Sequence, residues 1–152
     1  QGEIVSFDTD MVGPYGYCAD ISRTFVCGND FNNTQKELYS MSLEQINHNS
    51  NLIKADMSFK EFTEKSWKLP EEYYGNRYSV MVHGIGLCDE WPSIRYPTDG
   101  GDKSGRFLKN MTITVESYIG KVGGKEGVKL EQQYLVGENG LELMSHHPLE
   151  NI

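Results

Sequence analysis

The sequence predicts a single α+β domain, and three observations carry that prediction. Two pairs of β-branched and aromatic runs each close on a Gly-rich turn, at Gly13-Pro14-Tyr15-Gly16 and at Gly120-Lys121-Val122-Gly123-Gly124-Lys125-Glu126-Gly127, the pattern of antiparallel hairpins. Between the pairs the apolar spacing changes to that of a helix. The 152 residues allow one core of real size and not two independent ones. Hairpins with helices set between them make an α+β arrangement.

Taken in order, Ile4 to Asp8 reads as a strand and Tyr17 to Cys27 as its partner. From Thr34 to Ile53, Leu38, Met41, Leu43 and Ile46 recur at helical spacing with no Gly or Pro between them. A second helix opens at Ser58, whose hydroxyl can cap the first turn while Glu61 completes a capping box, and Pro70 ends it. Tyr78 to His83 is a short strand stopped by Gly84 and Gly86, followed by a loop rich in Gly, Pro and Asp from Glu90 to Asn110. Met111 to Tyr118 and Val128 to Val136 read as the second strand pair, and the chain closes with a turn at Gly137-Glu138-Asn139-Gly140 and a short strand. No repeat, low-complexity tract or linker interrupts it.

Composition narrows the function classes. With 14 Lys+Arg against 22 Asp+Glu the net charge is −8, and no basic stripe of the kind a phosphate backbone requires is present, so no nucleic-acid partner is predicted. No apolar run approaches the length of a membrane span and no targeting arm opens the chain, which predicts a cytoplasmic protein with no membrane partner. Cys18, Cys27 and Cys88 are odd in number and widely spaced, fitting reduced thiols. The chain lacks an initiator Met and enters the strand Ile4-Val5-Ser6-Phe7 almost at once. That predicts that residues 1–152 are part of a longer protein.

Folding the two hairpins on paper brings acids together. If the first turns at Pro14-Tyr15, Asp8 and Asp10 share a strand face, because side chains alternate, and lie across from Asp20. If the second turns at Gly123-Gly124, Glu116 stands directly across from Glu131. Like charges facing one another destabilise a sheet, and clustered carboxylates cannot all stay ionised unless cations or protons intervene. Divalent metal ions do this naturally, and oxygens with one imidazole suit iron, manganese, cobalt or zinc. His83, just before Gly84-Ile85-Gly86, supplies the imidazole. Taken singly, each acid is more often a solvated turn residue and a lone His more often hydrogen-bonded structure. The joint pattern of two facing carboxylate hairpins around one His is what singles out a site.

The segments Gly16-Tyr17-Cys18-Ala19-Asp20-Ile21-Ser22-Arg23-Thr24-Phe25, His83-Gly84-Ile85-Gly86-Leu87, Thr114-Val115-Glu116 and Val128-Lys129-Leu130-Glu131 resemble those of the creatinase, prolidase and methionine aminopeptidase superfamily. The resemblance covers nearly the whole chain. It implies the pita-bread fold, a curved and mostly antiparallel sheet with helices on its outer face, here incomplete at the N-terminus, so that residues 1–152 would be the C-terminal part of the metal-binding catalytic domain with the N-terminal domain absent. It implies as well a two-metal site held by two Asp, one His and two Glu in that chain order. Three departures stand out. The first metal Asp of the peptidases falls eleven residues before the second, a position occupied here by Thr9 between Asp8 and Asp10. Their second His, in an H-E-x-P segment, is replaced in Asp89-Glu90-Trp91-Pro92, and their Pro-Gly after the first Glu is Ser117-Tyr118 here.

With these departures, the stretches Phe7 to Asp20 and Val82 to Pro92 resemble the peptidase-like lyases of the superfamily that cleave dimethylsulfoniopropionate (DMSP) to dimethyl sulfide and acrylate. That resemblance implies a homodimer with two divalent ions, iron first among them, held by Asp8, Asp10, Asp20, His83, Glu116 and Glu131. It also implies Asp89 and Tyr78 in the reaction centre, with Asp89 as the base. Tyr78 in a regular strand would face away from His83, and its other reading is a core aromatic. The runner-up is an Xaa-Pro dipeptidase in which the metals activate a water, against which the missing second His counts. A catalytically inactive pita-bread module used for binding is the third reading, against which the complete ligand set counts.

Overall fold

A computed structural model describes residues 1–149 apart from Asn29 and Asp102. Strands β1 (Ile4–Val12) and β2 (Cys18–Val26) form the first hairpin around a single 3-10 turn at Pro14–Gly16. Then come α1 (Asn33–Leu52), α2 (Phe59–Lys65), α3 (Glu71–Tyr74), β3 (Val80–Gly84), β4 (Ser93–Arg95), β5 (Thr112–Gly120), β6 (Gly127–Val136) and β7 (Leu141–Leu143). The last five strands form one sheet in the order β4-β3-β5-β6-β7, and every described pairing is antiparallel. Among the described residues no helix is long and apolar enough to cross a membrane.

Alternation along β5 and β6 divides the sheet into two faces. Ile113, Val115, Ile119, Val128 and Leu130 are fully buried on one of them and join Leu38, Tyr39 and Ile46 of α1 and Phe62 of α2 in the core. Each such aliphatic side chain contributes about 2 kcal/mol through its removal from water. Ser117, on the same face, bonds Ser42 Oγ at 3.0 Å and Gln45 Oε1 at 2.6 Å, which fixes α1 across the strands. Because α1 covers that face, the residues between these positions, Glu116 and Glu131 among them, are turned to the other side.

The first hairpin lies along β6 on that other side without extending the ladder. Thr24 stands in for a strand pair: its hydroxyl donates to Lys129 O at 2.8 Å and accepts from Lys129 N at 3.1 Å. Arg23 is the second fastening. Its guanidinium donates to Ser22 O, Glu131 O, Gln132 Oε1, His147 O and Pro148 O at 2.5 to 3.1 Å. Five donors meet five acceptors, so a cation only 3% exposed is fully satisfied.

Local differences from the sequence reading have local causes. The capping box forms at Asn32 and Gln35, which exchange bonds of 3.0 and 2.9 Å. At Ser58 only half of it forms, because the Glu61 carboxylate turns to Lys65 Nζ at 2.7 Å, one turn along the helix. The second helix stops at Lys65 instead of Pro70, where Trp67 N is drawn to Asn49 Oδ1 of α1 at 2.9 Å. The strand β4 falls in the stretch read as loop, α3 lies between Pro70 and Tyr78 where no element was assigned, and the strand expected from Tyr78 begins at Val80.

The loop after β3 folds back tightly on the strand end. Gly84 N donates to Pro92 O at 2.9 Å, and a Cβ at position 84 would lie 2.0 Å from Trp91 O. Only glycine permits this approach, and the approach folds the segment holding Asp89 back toward β3. Gly84→Ala is expected to destabilise the protein by about 1–3 kcal/mol through this backbone clash, read as a lower midpoint in denaturant unfolding. A midpoint equal to wild type would show that the loop yields at no cost.

Candidate metal centre

Three cross-strand rows build the site. Asp10 pairs with Asp20, whose N–H donates to Gln133 Oε1 at 3.4 Å, while Gln133 pairs with Thr114 and Thr114 with His83. In the next row Asp8 pairs with Ser22, and Glu116 pairs with Glu131 as the turn spacing predicts. Ser6 and Thr24, then Lys129 and Tyr118, make the third. Asp10 is therefore directly across from Asp20, whereas Asp8, expected to share that relation, stands one row away. Thr9 falls on the opposite face of the hairpin, with its hydroxyl on Ile21 O at 3.1 Å.

The side chains converge at His83. Its Nε2 stands 3.2 Å from Glu131 Oε1, 3.6 Å from Asp20 Oδ2 and 3.7 Å from Glu116 Oε1, and all four residues are buried. Nδ1 lies 3.0 Å from Gly84 O. A carbonyl can only accept, so Nδ1 carries a hydrogen and Nε2 is the nitrogen free to bind a cation. Donor atoms of Asp20, His83 and Glu131 lie within 4.8 Å of one another, as do those of Asp10, Asp20 and Asp89. Asp20 belongs to both sets. Asp20 Oδ1 and Glu116 Oε1 are buried without a hydrogen-bond partner, an arrangement that costs about 1–3 kcal/mol per atom unless something positive meets it.

Without that counter-charge, protons stand in for it. Burial first, then the charges of Glu131, Asp10 and Asp8, push the Asp20 carboxyl up to about 8. Burial and Glu131 push Glu116 to about 8 as well. Burial opposes a charge on His83, but its hydrogen bond to Glu131 and the charge of Glu116 outweigh this and raise it to about 9.

Lys129 and Ser22 were not among the residues the sequence singled out. Lys129 Nζ reaches Asp8 Oδ2 at 2.6 Å, Glu116 Oε2 at 3.2 Å and Glu131 Oε2 at 3.9 Å. Ser22 Oγ lies 2.5 Å from Asp8 Oδ1 and 2.8 Å from Glu131 Oε2. Asp8 thus has both oxygens engaged, and although burial opposes it, bonds from Lys129 and Ser22 hold its carboxyl below the ordinary range. The available signal was alternation: Lys129 precedes Glu131 by two residues and Ser22 follows Asp20 by two.

Tyr78 and Asp89 reach the cluster from its rim. Tyr78 lies outside β3, ahead of a register irregularity between Val80 and Val82, so strand alternation does not bind it. Its ring centroid is 4.6 Å from Lys129 Nζ, and burial followed by the Glu116 charge pushes its phenol up to about 12. Asp89 is exposed, and its carboxylate comes within reach of Asp10 and Asp20.

The sequence model of metallopeptidase family M24 matches residues 1–138. The chain belongs to metallopeptidase family M24. Its arrangement is the pita-bread fold of that family. This M24 chain is 38% identical over 99% of its length to the dimethylsulfoniopropionate lyase DddP of Roseovarius nubinhibens, covering 34% of that protein. It is 33% identical over 95% of its length to the Xaa-Pro dipeptidase of Pyrococcus furiosus, covering 40% of that one. Among solved structures, the prolidase from Pyrococcus horikoshii OT3 aligns with a TM-score of 0.79 over 100% of this chain and 42% of its own, at 26% identity. The M24 chain thus spans about a third of the length of the curated lyase it matches.

A metal pair of the kind the family name implies fits what is present. The donors are carboxylate oxygens with one imidazole, two of the buried oxygens have no hydrogen-bond partner among the described residues, and the groups converge within bonding reach of a cation. A pH dependence follows for the metal-free protein. Asp20, Glu116 and His83 hold protons more tightly folded than at their ordinary 3.8, 4.5 and 6.5, so the stability they contribute is lost as pH rises through about 8 to 9. Metal-free protein is expected to be less stable at about pH 9 than at about pH 5.5, by about 2 kcal/mol or more. Divalent ions should remove most of that difference. Equal denaturant midpoints at the two pH values without metal would contradict the carboxylate geometry.

Proposed function

We propose that this M24 chain is the metal-holding part of a lyase that splits DMSP into dimethyl sulfide and acrylate by base-promoted β-elimination. The observation that carries the reading is Asp89, an acid where the peptidases have their second His, with its carboxylate in reach of Asp10 and Asp20. The similarity to curated DMSP lyases supports the same substrate.

DMSP has a carboxylate at one end and a sulfonium at the other, and the proton to be removed sits on the carbon beside the carboxylate. Asp20, His83 and Glu131 with Glu116 beside them would hold one divalent ion, and Asp10 and Asp20 with Asp8 the other. Once bound, the ions draw charge from the substrate carboxylate and acidify the neighbouring C–H. Asp89 takes that proton. As the C–H electron pair forms the new double bond, the C–S pair leaves with sulfur, so dimethyl sulfide departs without needing a proton, and Asp89 returns its own to water. Tyr78, whose phenol stays protonated, acts at the rim as a hydrogen-bond donor. Its ring already faces the Lys129 ammonium, which leaves Trp91, 62% exposed and two residues from Asp89, as the aromatic face for the sulfonium. Iron is the metal we assign, with manganese, cobalt or zinc as chemically adjacent choices, in a homodimeric cytoplasmic enzyme acting on this small molecule.

On the full-length protein, Asp89→Asn is expected to lower the rate of dimethyl sulfide release by about two to four orders of magnitude with metal still bound. Wild-type release in the headspace from that variant would remove Asp89 from the base role. Hydrolysis of Xaa-Pro dipeptides in place of DMSP cleavage would return the protein to the peptidases. His83→Ala and Glu131→Ala are each expected to lose bound metal by elemental analysis, and full metal content in both would contradict their assignment as ligands.

A further inference from the structure

We propose that Lys129 determines which ionic charge the site accepts, acting as a built-in monovalent cation that sets the demand at two divalent ions. The proposal rests on the metal-binding part of the reading above and is independent of the substrate.

The charges of the site lead to it. Asp8, Asp10, Asp20, Glu116 and Glu131 carry one more negative charge than two divalent ions supply, and His83 binds as a neutral imidazole through Nε2. The remaining positive charge is the Lys129 ammonium, 2.6 Å from Asp8, 3.2 Å from Glu116 and 3.9 Å from Glu131. Its side chain is only 15% exposed, so water screens this charge far less than that of a surface lysine. Lys129 takes Oε2 of Glu116 and leaves Oε1, one of the partnerless buried oxygens, on the His83 side. It divides the carboxylate between a resident ammonium and an incoming ion.

Two neighbouring charges are accounted for. Arg23 directs all of its donors to carbonyls and Gln132, and makes no hydrogen bond to any of the five carboxylates. Asp89, exposed and within 4.8 Å of Asp10 and Asp20, is assigned above to the substrate proton and not to the ions, and its charge is the same in wild type and in every variant compared. Without the ammonium, the same five carboxylates would favour a trivalent ion over a divalent one, since each added charge on the ion gains more from an uncompensated site.

The experiment uses full-length protein stripped of metal, titrated separately with Co2+, followed by its visible absorption, and with Tb3+, followed by its luminescence. Lys129→Met is expected to raise Tb3+ affinity relative to Co2+ by about ten-fold or more, while Lys129→Arg stays within about three-fold of wild type. Asp8→Asn should shift the ratio the opposite way, and the Asp8→Asn, Lys129→Met double variant should return it toward wild type. That return separates charge balance from a packing role, and Asp8→Asn keeps the proposal decidable if Lys129→Met fails to fold. Unchanged ratios in the single variants, or a wild-type protein that takes up no Co2+, would overturn it. Failure of the lyase reading is seen separately, as absence of dimethyl sulfide from protein whose metal ratios respond as expected.

Discussion

Three buried carboxylates, Asp20, Glu116 and Glu131, with Asp8 and Asp10 at the exposed edge of the same space, cannot all remain charged without positive charge among them, and much of this fold arranges for that charge. Putting Glu116 and Glu131 on the face away from α1 requires the strict alternation seen along β5 and β6. Bringing Asp8, Asp10 and Asp20 to the same space requires the first hairpin to lie against β6, which Thr24 and Arg23 achieve through bonds to main-chain atoms of that strand. His83 meets them because β3 pairs with β5 in a register that sets it beside Thr114. The hydrophobic core on the far face stabilises a concentration of like charge that is itself unfavourable.

What could be read in advance is what short-range geometry dictates. The facing of Glu116 and Glu131 follows from equal spacing about a glycine turn, and α1 from the recurrence of Leu38, Met41 and Ile46. Of the short elements, β7 follows the turn at Gly137-Glu138-Asn139-Gly140 as expected, whereas α3 and β4 were illegible because tertiary contacts make them. One end of α3 is tied to the β5–β6 turn by Val122 N on Glu72 O at 3.1 Å, and β4 is the segment that Gly84 allows to fold back. The site was legible as a set of acids and one imidazole, but not in its division of labour. Alternation with Glu131 marks Lys129 as a candidate, but nothing local shows that it is half-buried where Lys121 and Lys125 are exposed; its burial results from β2 settling beside β6. Asp8 drew attention as one more acid, and its partners proved to be Lys129 and Ser22.

The backbone of this chain superposes well on prolidases, so the framework alone does not separate peptide hydrolysis from elimination. Differences in chemistry must then come from side chains set on that framework. Asp89 stands in the loop after β3 where the peptidases present a second imidazole, and Asp8 and Asp10 flank Thr9 in place of a single acid. Both changes enrich the pocket in oxygen and negative charge, the environment that the proposed elimination and its sulfonium substrate call for.

The hairpin register around Thr9 has an evolutionary consequence. Asp10 and Asp20 meet because ten positions separate them across a turn of fixed length, and in such a ladder a separation of eleven puts the two side chains on opposite surfaces. An aspartate introduced at position 9 would therefore point at Ile21 and Phe7 and never toward the imidazole. Passage between the two acid patterns needs a residue gained or lost in the hairpin, so a lineage carrying one is cut off by reading geometry from reaching the other through codon replacement alone.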